Sequence, residues 1–317
     1  MKALMKLNIS RTAVRYSATA LLFISFFAAP SYGQGSRSIT IETEPRAKVW
    51  INGVLYGTAS EAGSLTVRSV SPGRKTIRVR ADGFKEAEKA LTANQSGKIS
   101  IPLTKTVDEA ELAFQNAERL APADREKAIL AYQQAVQLRP AFTDAYIGMA
   151  RIYTETGDVE KADKAIAAAK RSRPGTAEVS AVEGRFLKSV DEEAKAIAAF
   201  KRAIKEGGGF QPEAYTGLGL LYKEKAESFG ADGDYQQEAA NYAEAAKYLS
   251  TAIKQLSGAP DSAVLYQFLG LVYEQQKKNS EAIRVYQEFL DKFPGHPESE
   301  AFQSFITQLK KGTQEPE

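Results

Sequence analysis

Between residues 36 and 104, apolar and polar side chains alternate with a period of two. Ile39 and Ile41 show this alternation at the start of the segment, and Ile77 and Val79 repeat it further on. Alternation places successive side chains on opposite faces of a strand, so each such stretch predicts a strand with one buried face. Turn pairs separate the stretches: Asn52-Gly53, Pro72-Gly73, Asp82-Gly83 and Ser96-Gly97. Five or six short strands in this order predict a small antiparallel β-sandwich.

From Asp108 onward the period changes to that of a helix, and small residues return at a fixed spacing. Two series share this spacing: Ala128, Ala162 and Ala196, and Ala135, Ala169 and Ala203. Self-similarity with a period of about 34 residues predicts helix–turn–helix units that stack into a solenoid. Small side chains are needed where paired helices approach closely. We expect about five units over 107–311, with an amphipathic helix at 298–311 capping the open end.

Both segments resemble known families. The first is similar to a PEGA domain in the order of its motifs: Pro45, Asn52-Gly53, Gly57-Thr58, Ser71-Pro72-Gly73 and Asp82-Gly83-Phe84. The helical units resemble tetratricopeptide repeats (TPR), most fully at Tyr146, Met149, Ala150, Tyr153, Gly157, Asp158, Ala162, Ala169 and Pro174. The resemblance implies an α+β multidomain chain, with a small antiparallel β-sandwich followed by an all-α TPR solenoid. It also implies an exported or surface location and a function in protein binding.

The fourth helical unit is longer than the others. Tyr222 and Ala245 are 23 residues apart, whereas the matching residues of the second unit, Tyr153 and Ala162, are nine apart. The extra residues either lengthen the first helix and its turn or form a binding loop. Glycines and aspartates within 228–236 favour a turn there, which we expect to be the most protease-sensitive part of the array.

Residues 1–33 resemble a secretory signal in their arrangement. Four cations, the last of them Arg15, precede an apolar run from Ala18 to Ala29, and the small residues Ser31 and Gly33 follow it. This order predicts cleavage before residue 34. An uncleaved anchor is the alternative, but the run is shorter than the roughly 20 residues that span a bilayer. We therefore expect a periplasmic or secreted protein, without lipid attachment and without a transmembrane segment after signal removal.

Charge and composition narrow the functional classes. Without the four cations of the predicted signal, 38 of the 42 Lys and Arg remain, against 39 Asp and Glu. A chain so close to neutral is a poor candidate for binding nucleic acid. One histidine and no cysteine argue against histidine-based triads, cysteine nucleophiles and zinc sites. We expect a protein that is not an enzyme and that needs neither a cofactor nor a metal.

The concave face of a TPR solenoid is lined by exposed positions of the first helix of each unit. Matching the units to the repeat pattern gives a set of candidate partner-binding residues, called the groove set below. Its members are Asp144, Ile147, Arg151, Thr154, Arg185, Lys188, Thr216, Leu220, Lys223, Gln267, Leu271 and Glu274. The four cations of this set predict a basic groove, which favours an acidic peptide or an acidic helix. We therefore expect an exported adaptor that binds a protein partner of the cell envelope.

Trp50, the only tryptophan, supports a different function. It lies on the sheet face opposite Val49 and Ile51, so it either packs against another element or offers a platform for a sugar. Arg78 and Arg80 share one face and form either a basic stripe or the solvated face of an edge strand. The alternative function is anchoring to an envelope polysaccharide through this surface, with the repeats serving self-association.

Overall fold

The computed structural model describes residues 37–71 and 73–312. The predicted signal segment, residues 1–33, lies outside the described residues. The strands and helices described below belong to one compact unit, Gly35–Glu317.

Seven strands form two sheets within the described residues; together they are called the β domain. Their bounds are β1 Arg37–Glu42, β2 Lys48–Ile51, β3 Val54–Thr58, β4 Ser64–Val70, β5 Lys75–Arg80, β6 Ala87–Leu91 and β7 Gly97–Ser100. One sheet has the order β4-β1-β7 and the other β3-β2-β5-β6. All strand pairs are antiparallel except β1 and β7, which run parallel. A parallel pair needs a long crossover, and here the whole second sheet separates the two strands along the chain.

The core of the β domain lies between its sheets and uses the predicted alternation. Ile39, Ile41, Val49 and Ile77 are all fully buried, whereas their polar neighbours point outward. The two-residue turn between β2 and β3 has positive φ at both residues, +50° at Asn52 and +79° at Gly53. Such turns match the twist of paired strands.

Eleven α-helices follow within the described residues, arranged as five antiparallel pairs and a final helix. Their bounds are α1 Glu109–Leu120, α2 Arg125–Leu138, α3 Thr143–Thr156, α4 Val159–Ser172, α5 Ala177–Ser189, α6 Glu193–Glu206, α7 Pro212–Ala231, α8 Tyr235–Leu256, α9 Ala263–Gln275, α10 Asn279–Lys292 and α11 Ser299–Gly312. A short 3₁₀ helix, Pro260–Ser262, joins α8 to α9. The prediction of a helical solenoid after a β-sandwich is confirmed.

Small residues allow the paired helices to approach each other. Ala162 and Ala196 are fully buried. A Cβ atom added at Gly270 would lie 2.0 Å from a ring carbon of Tyr286, far inside van der Waals contact. Gly270 therefore has no room for a larger side chain, and the two buried alanines lie in a close-packed interior of the same kind.

The insertion in the fourth unit lengthens both of its helices. Helices α7 and α8 have 20 and 22 residues, whereas the helices of the second unit have 14 each. The turn between α7 and α8 is limited to residues 232–234, narrower than the expected 228–236. Asp234 explains where α8 begins, because its carboxylate accepts a hydrogen bond from the backbone N–H of Gln237.

Candidate functional site: a cavity between the β domain and the concave helical face

The β domain packs against α1 through a buried arginine. Arg80, only 8% exposed, pairs with Glu118 of α1 at 2.8 Å and with Glu86 at 2.6 Å. Its guanidinium also lies 4.7 Å from the ring centroid of Phe114. Strand β5 lies between β2 and β6, so the interpretation of Arg78 and Arg80 as the solvated face of an edge strand is wrong. The internal strand β5 faces α1, and the side chain of Arg80 is long enough to reach Glu118 across the domain boundary.

Gln115 strengthens the same junction and was missed by the sequence reasoning. Its side chain donates a hydrogen bond to the carbonyl of Phe84 and accepts one from the N–H of Gly83, both at 2.8 Å. The residue is 3% exposed. The sequence did contain a signal, since this glutamine lies on the apolar face of α1, next to Phe114. A buried amide needs hydrogen-bond partners, so its position indicated a polar contact with another element.

The β domain also reaches the far end of the helical array. Val54, at the start of β3, is buried in an apolar cluster with Leu256 and Leu265. The hydroxyl of Tyr56 donates a hydrogen bond of 3.1 Å to the carbonyl of Leu256, the last residue of α8. The β domain therefore spans the concave face from α1 to the end of α8.

A cavity of about 1030 Å³ lies between these two contacts. The β domain contributes the β2–β3 turn and the outward face of β5, and the helical array contributes residues of α3, α5, α7 and α9. One part of the lining is apolar, with Leu55, Leu220 and Val264. Another part carries charges from both modules.

Arg151 of α3 is the centre of the charged part. It binds Glu213 of α7 through two hydrogen bonds of 2.9 and 2.7 Å and reaches Glu178 of α5 at 3.3 Å. Burial by itself would raise the pKa of Glu213, but the attraction of Arg151 outweighs it and lowers that pKa. Arg78 and Arg185 act electrostatically on the Glu178 and Glu213 carboxylates, respectively. Five of these charges alternate in sign across the cavity, in the order Arg78, Glu178, Arg151, Glu213 and Arg185. The whole lining carries four cations and five anions within the described residues.

Comparison with protein families identifies both modules. A model of the PEGA domain matches residues 36–107, and two models of the tetratricopeptide repeat match residues 119–185 and 231–297. The chain is a PEGA domain followed by tetratricopeptide repeats. The β domain is hereafter called the PEGA domain, and helices α1–α11 are called the TPR array. No curated protein matches the sequence.

Two solved structures are similar to this chain over part of its length. The crystal structure of yeast Tom70 aligns with a TM-score of 0.52 at 18% identity, over 65% of this chain and 41% of the Tom70 chain. TTC0263, a TPR protein of Thermus thermophilus, aligns with a TM-score of 0.47 at 15% identity, over 62% of this chain and 99% of its own. This chain therefore spans less than half of Tom70, and the likeness to Tom70 is one of fold.

Five members of the groove set line the cavity: Arg151, Arg185, Lys188, Thr216 and Leu220. Their environments differ. Arg151 is neutralised by the carboxylates described above, and Lys188 pairs with Glu224 at 2.8 Å. Arg185 is exposed and makes no salt bridge within the described part of the chain. The groove is therefore less basic than the sequence indicated.

The other members of the groove set lie outside the cavity lining found among the described residues. Ile147 is only 5% exposed, and Thr154 donates a hydrogen bond to the Ala150 carbonyl. Asp144 lies 3.7 Å from Arg173, and Lys223 pairs with Glu227. Gln267 and Leu271 lie on α9. Glu274 accepts a hydrogen bond from the hydroxyl of Tyr286.

Trp50 lies at the boundary of the two modules. The residue is 9% exposed, and the guanidinium carbons of Arg78 and Arg80 lie 4.7 and 5.5 Å from its ring centroid. Most of the indole is thus inaccessible to a sugar, although Trp50 is among the residues that line the cavity.

Two features are absent from the described residues. No helix there is both long and apolar enough to cross a membrane. The same residues contain no group of three or more metal-ligating side chains.

Proposed function

We propose that this protein is an exported adaptor that holds a short acidic segment of a protein partner in the cavity between its PEGA domain and its TPR array. The TPR repeats support the general role, because such arrays serve as scaffolds for protein interactions. The cavity is the observation that carries the more specific role.

The size of the cavity supports a short segment as the ligand. Its volume of about 1030 Å³ is at the upper end of the roughly 300–1,000 Å³ that is usual for ligand pockets. A folded domain is far larger than this space. The partner would therefore insert a few residues of extended chain and keep its folded part outside.

The chemistry of the lining supports an acidic segment with an apolar neighbour. Arg185 makes no salt bridge within the described residues, and Lys188 is held only by an exposed glutamate. A carboxylate of the partner would complete the alternating row of charges beside Arg185. An apolar side chain of the same segment would contact Leu220 and Val264.

Export to the cell envelope rests on the sequence of residues 1–33 and on the PEGA domain, a module typical of extracytoplasmic proteins. Mass spectrometry of the protein isolated from its own cells tests it. We expect an N-terminus near Gln34, and an intact Met1 in the cytoplasmic fraction would contradict export.

Binding can be tested with defined peptides. The probes are blocked octapeptides of glycine and serine that carry one leucine and one glutamate at different spacings, called the glutamate peptides. Matched glutamine peptides have glutamine in place of the glutamate. Trp50 is the only tryptophan and lines the cavity, so its fluorescence reports binding at this site. We expect at least one glutamate peptide to bind more tightly than its glutamine partner.

A charge reversal with a matched control locates the site. Arg185→Glu should weaken binding of that glutamate peptide by about tenfold or more, because an attraction becomes a repulsion. Lys201→Glu makes the same change at an exposed residue of α6 outside the cavity lining and should have no effect. Equal binding by glutamate and glutamine peptides, or an equal loss in both variants, would overturn the acidic specificity.

A further inference from the structure

The PEGA domain contacts the TPR array at two junctions of unequal strength. At α1, the junction contains the Arg80 ion pairs and the two hydrogen bonds of Gln115. The chain also passes directly into α1, and the N–H of Thr106 donates to the carbonyl of Gly83 at 2.9 Å on the way. Every polar group named here is paired, so separation at α1 would break several bonds at once.

The far junction contains no ion pair within the described residues, and its partners are distant in sequence. It rests on the hydrogen bond from Tyr56 to Leu256, 200 residues further along the chain, on the burial of Val54, and on the packing of β3 against the 3₁₀ helix Pro260–Ser262. A single neutral hydrogen bond contributes less than one between charged groups, and one buried valine adds only a modest apolar contribution. Contacts of this size open readily compared with the α1 junction.

Domains within one chain are expected to move unless a large apolar interface holds them. We infer that the PEGA domain moves relative to the TPR array and closes over the ligand of the cavity. Its junction with α1 is the hinge of this motion, and the contact of Tyr56 with the end of α8, called the latch, holds the closed form. This inference rests on the proposed function for its ligand, but the motion itself can be measured without one.

A ligand would reinforce the latch because both modules line the cavity. Arg78 and Trp50 belong to the PEGA domain, whereas Arg185 and Leu220 belong to the TPR array. A segment that touches both walls has all its contacts only in the closed form, so it shifts the population toward that form. Closing and binding are therefore coupled.

Distance measurements between spin labels test the motion in the full chain. The protein has no cysteine, so two introduced cysteines are its only labelling sites. Exposed Arg68 of β4 and Lys254 of α8 report on the latch, and Arg68 with exposed Gln134 of α2 reports on the hinge. We expect Tyr56→Ala to broaden the Arg68–Lys254 distances toward longer values and to change the Arg68–Gln134 distances much less.

Two conservative variants provide the control. Tyr56→Phe removes the hydrogen bond to Leu256, and Tyr146→Phe removes a hydrogen bond of the same kind to Pro140 within the array. Only the first should broaden the Arg68–Lys254 distances. Unchanged distances in both Tyr56 variants would overturn the proposed domain motion. Equal broadening of the Arg68–Lys254 and Arg68–Gln134 distances would overturn it as well.

The glutamate peptides test the coupling. Tyr56 lies outside the cavity lining in the described structure, yet Tyr56→Ala should weaken peptide binding by about fivefold or more if closing and binding are coupled. Adding peptide should narrow the Arg68–Lys254 distances of that variant. Undiminished affinity in Tyr56→Ala would overturn the coupling. Failure of every glutamate peptide to bind the unmodified protein would instead overturn the proposed function, and the ligand-free distances would still decide the motion.

Discussion

Arg151 and Arg185 occupy the same position in successive repeats, but their surroundings differ. Arg151 of α3 binds Glu213 and Glu178, which lie on two other helices. Arg185 of α5 makes no salt bridge among the described residues, although it lies close enough to influence Glu213. Residues that are equivalent in a repeat pattern can thus have a structural role in one unit and remain available to a ligand in the next.

The largest expected effect is the loss of Arg151. Arg151→Ala leaves the partly buried carboxylate of Glu213 and the exposed carboxylate of Glu178 without their counter-ion. Removing one partner of such a pair should lower the free energy of unfolding by about 2–4 kcal/mol. Urea denaturation followed by helical circular dichroism measures it. A change below about 1 kcal/mol would mean that water already solvates these carboxylates.

Buried equivalents should behave alike, in contrast to the two arginines. Ala162 and Ala196 also occupy one position in successive repeats, and both are fully buried where paired helices meet. Replacing either with leucine should cost about 1–3 kcal/mol through overpacking. Thermal unfolding of both variants checks this. If one of the two substitutions leaves the melting temperature unchanged, that site has more free space than the structure shows.

Acidification offers a smaller test of the Arg151 pair. Arg151 holds the pKa of Glu213 below the ordinary glutamate value of 4.5 despite burial, which opposes that shift. The folded protein therefore binds fewer protons here than the unfolded chain. This contribution to stability is complete above the ordinary value and is lost as pH falls through the folded pKa.

A matched variant isolates the contribution of Glu213. Denaturation between pH 6 and pH 3 should show a steeper loss of stability in the unmodified protein than in Glu213→Gln, which has no carboxyl to titrate. Parallel curves for the two proteins would show that Glu213 does not contribute to the pH dependence.

Arg185 should contribute least to stability. Arg185→Ala removes an exposed charge that has no ion-pair partner among the described residues, so the free energy of unfolding should change by less than about 0.5 kcal/mol. Its binding of a glutamate peptide should nevertheless weaken. A destabilisation as large as that of Arg151→Ala would show that the two arginines have the same structural role.

Much of the fold was predictable because its determinants are local. Alternation at Ile39, Ile41 and Ile77 indicated strands, and alanines that recur once in every repeat indicated helix pairs. The insertion was visible in the sequence as extra residues, but the conformation of those residues was not. The helical conformation of 228–231 depends on how α7 packs against α8, and glycines in this stretch suggested a turn instead.

The candidate site was less predictable because its residues meet only in the folded chain. Matching the repeats identified Arg151 and Arg185 as candidates. It could not show that Arg151 pairs with Glu213, which lies two repeats further along the chain. Gln115 and Tyr56 were missed, since each bonds to the backbone of the other module.

Sequence periodicity alone thus determined the two modules, their order and the helix pairs, because burying one face of each strand or helix requires a regular spacing of apolar residues. Only the tertiary structure decided that the PEGA domain lies across the concave face of the array and encloses a cavity with it. That arrangement depends on a few contacts between residues far apart in sequence, such as Arg80 with Glu118 and Tyr56 with Leu256. Such contacts do not recur at a fixed spacing, so no pattern along the chain predicts them.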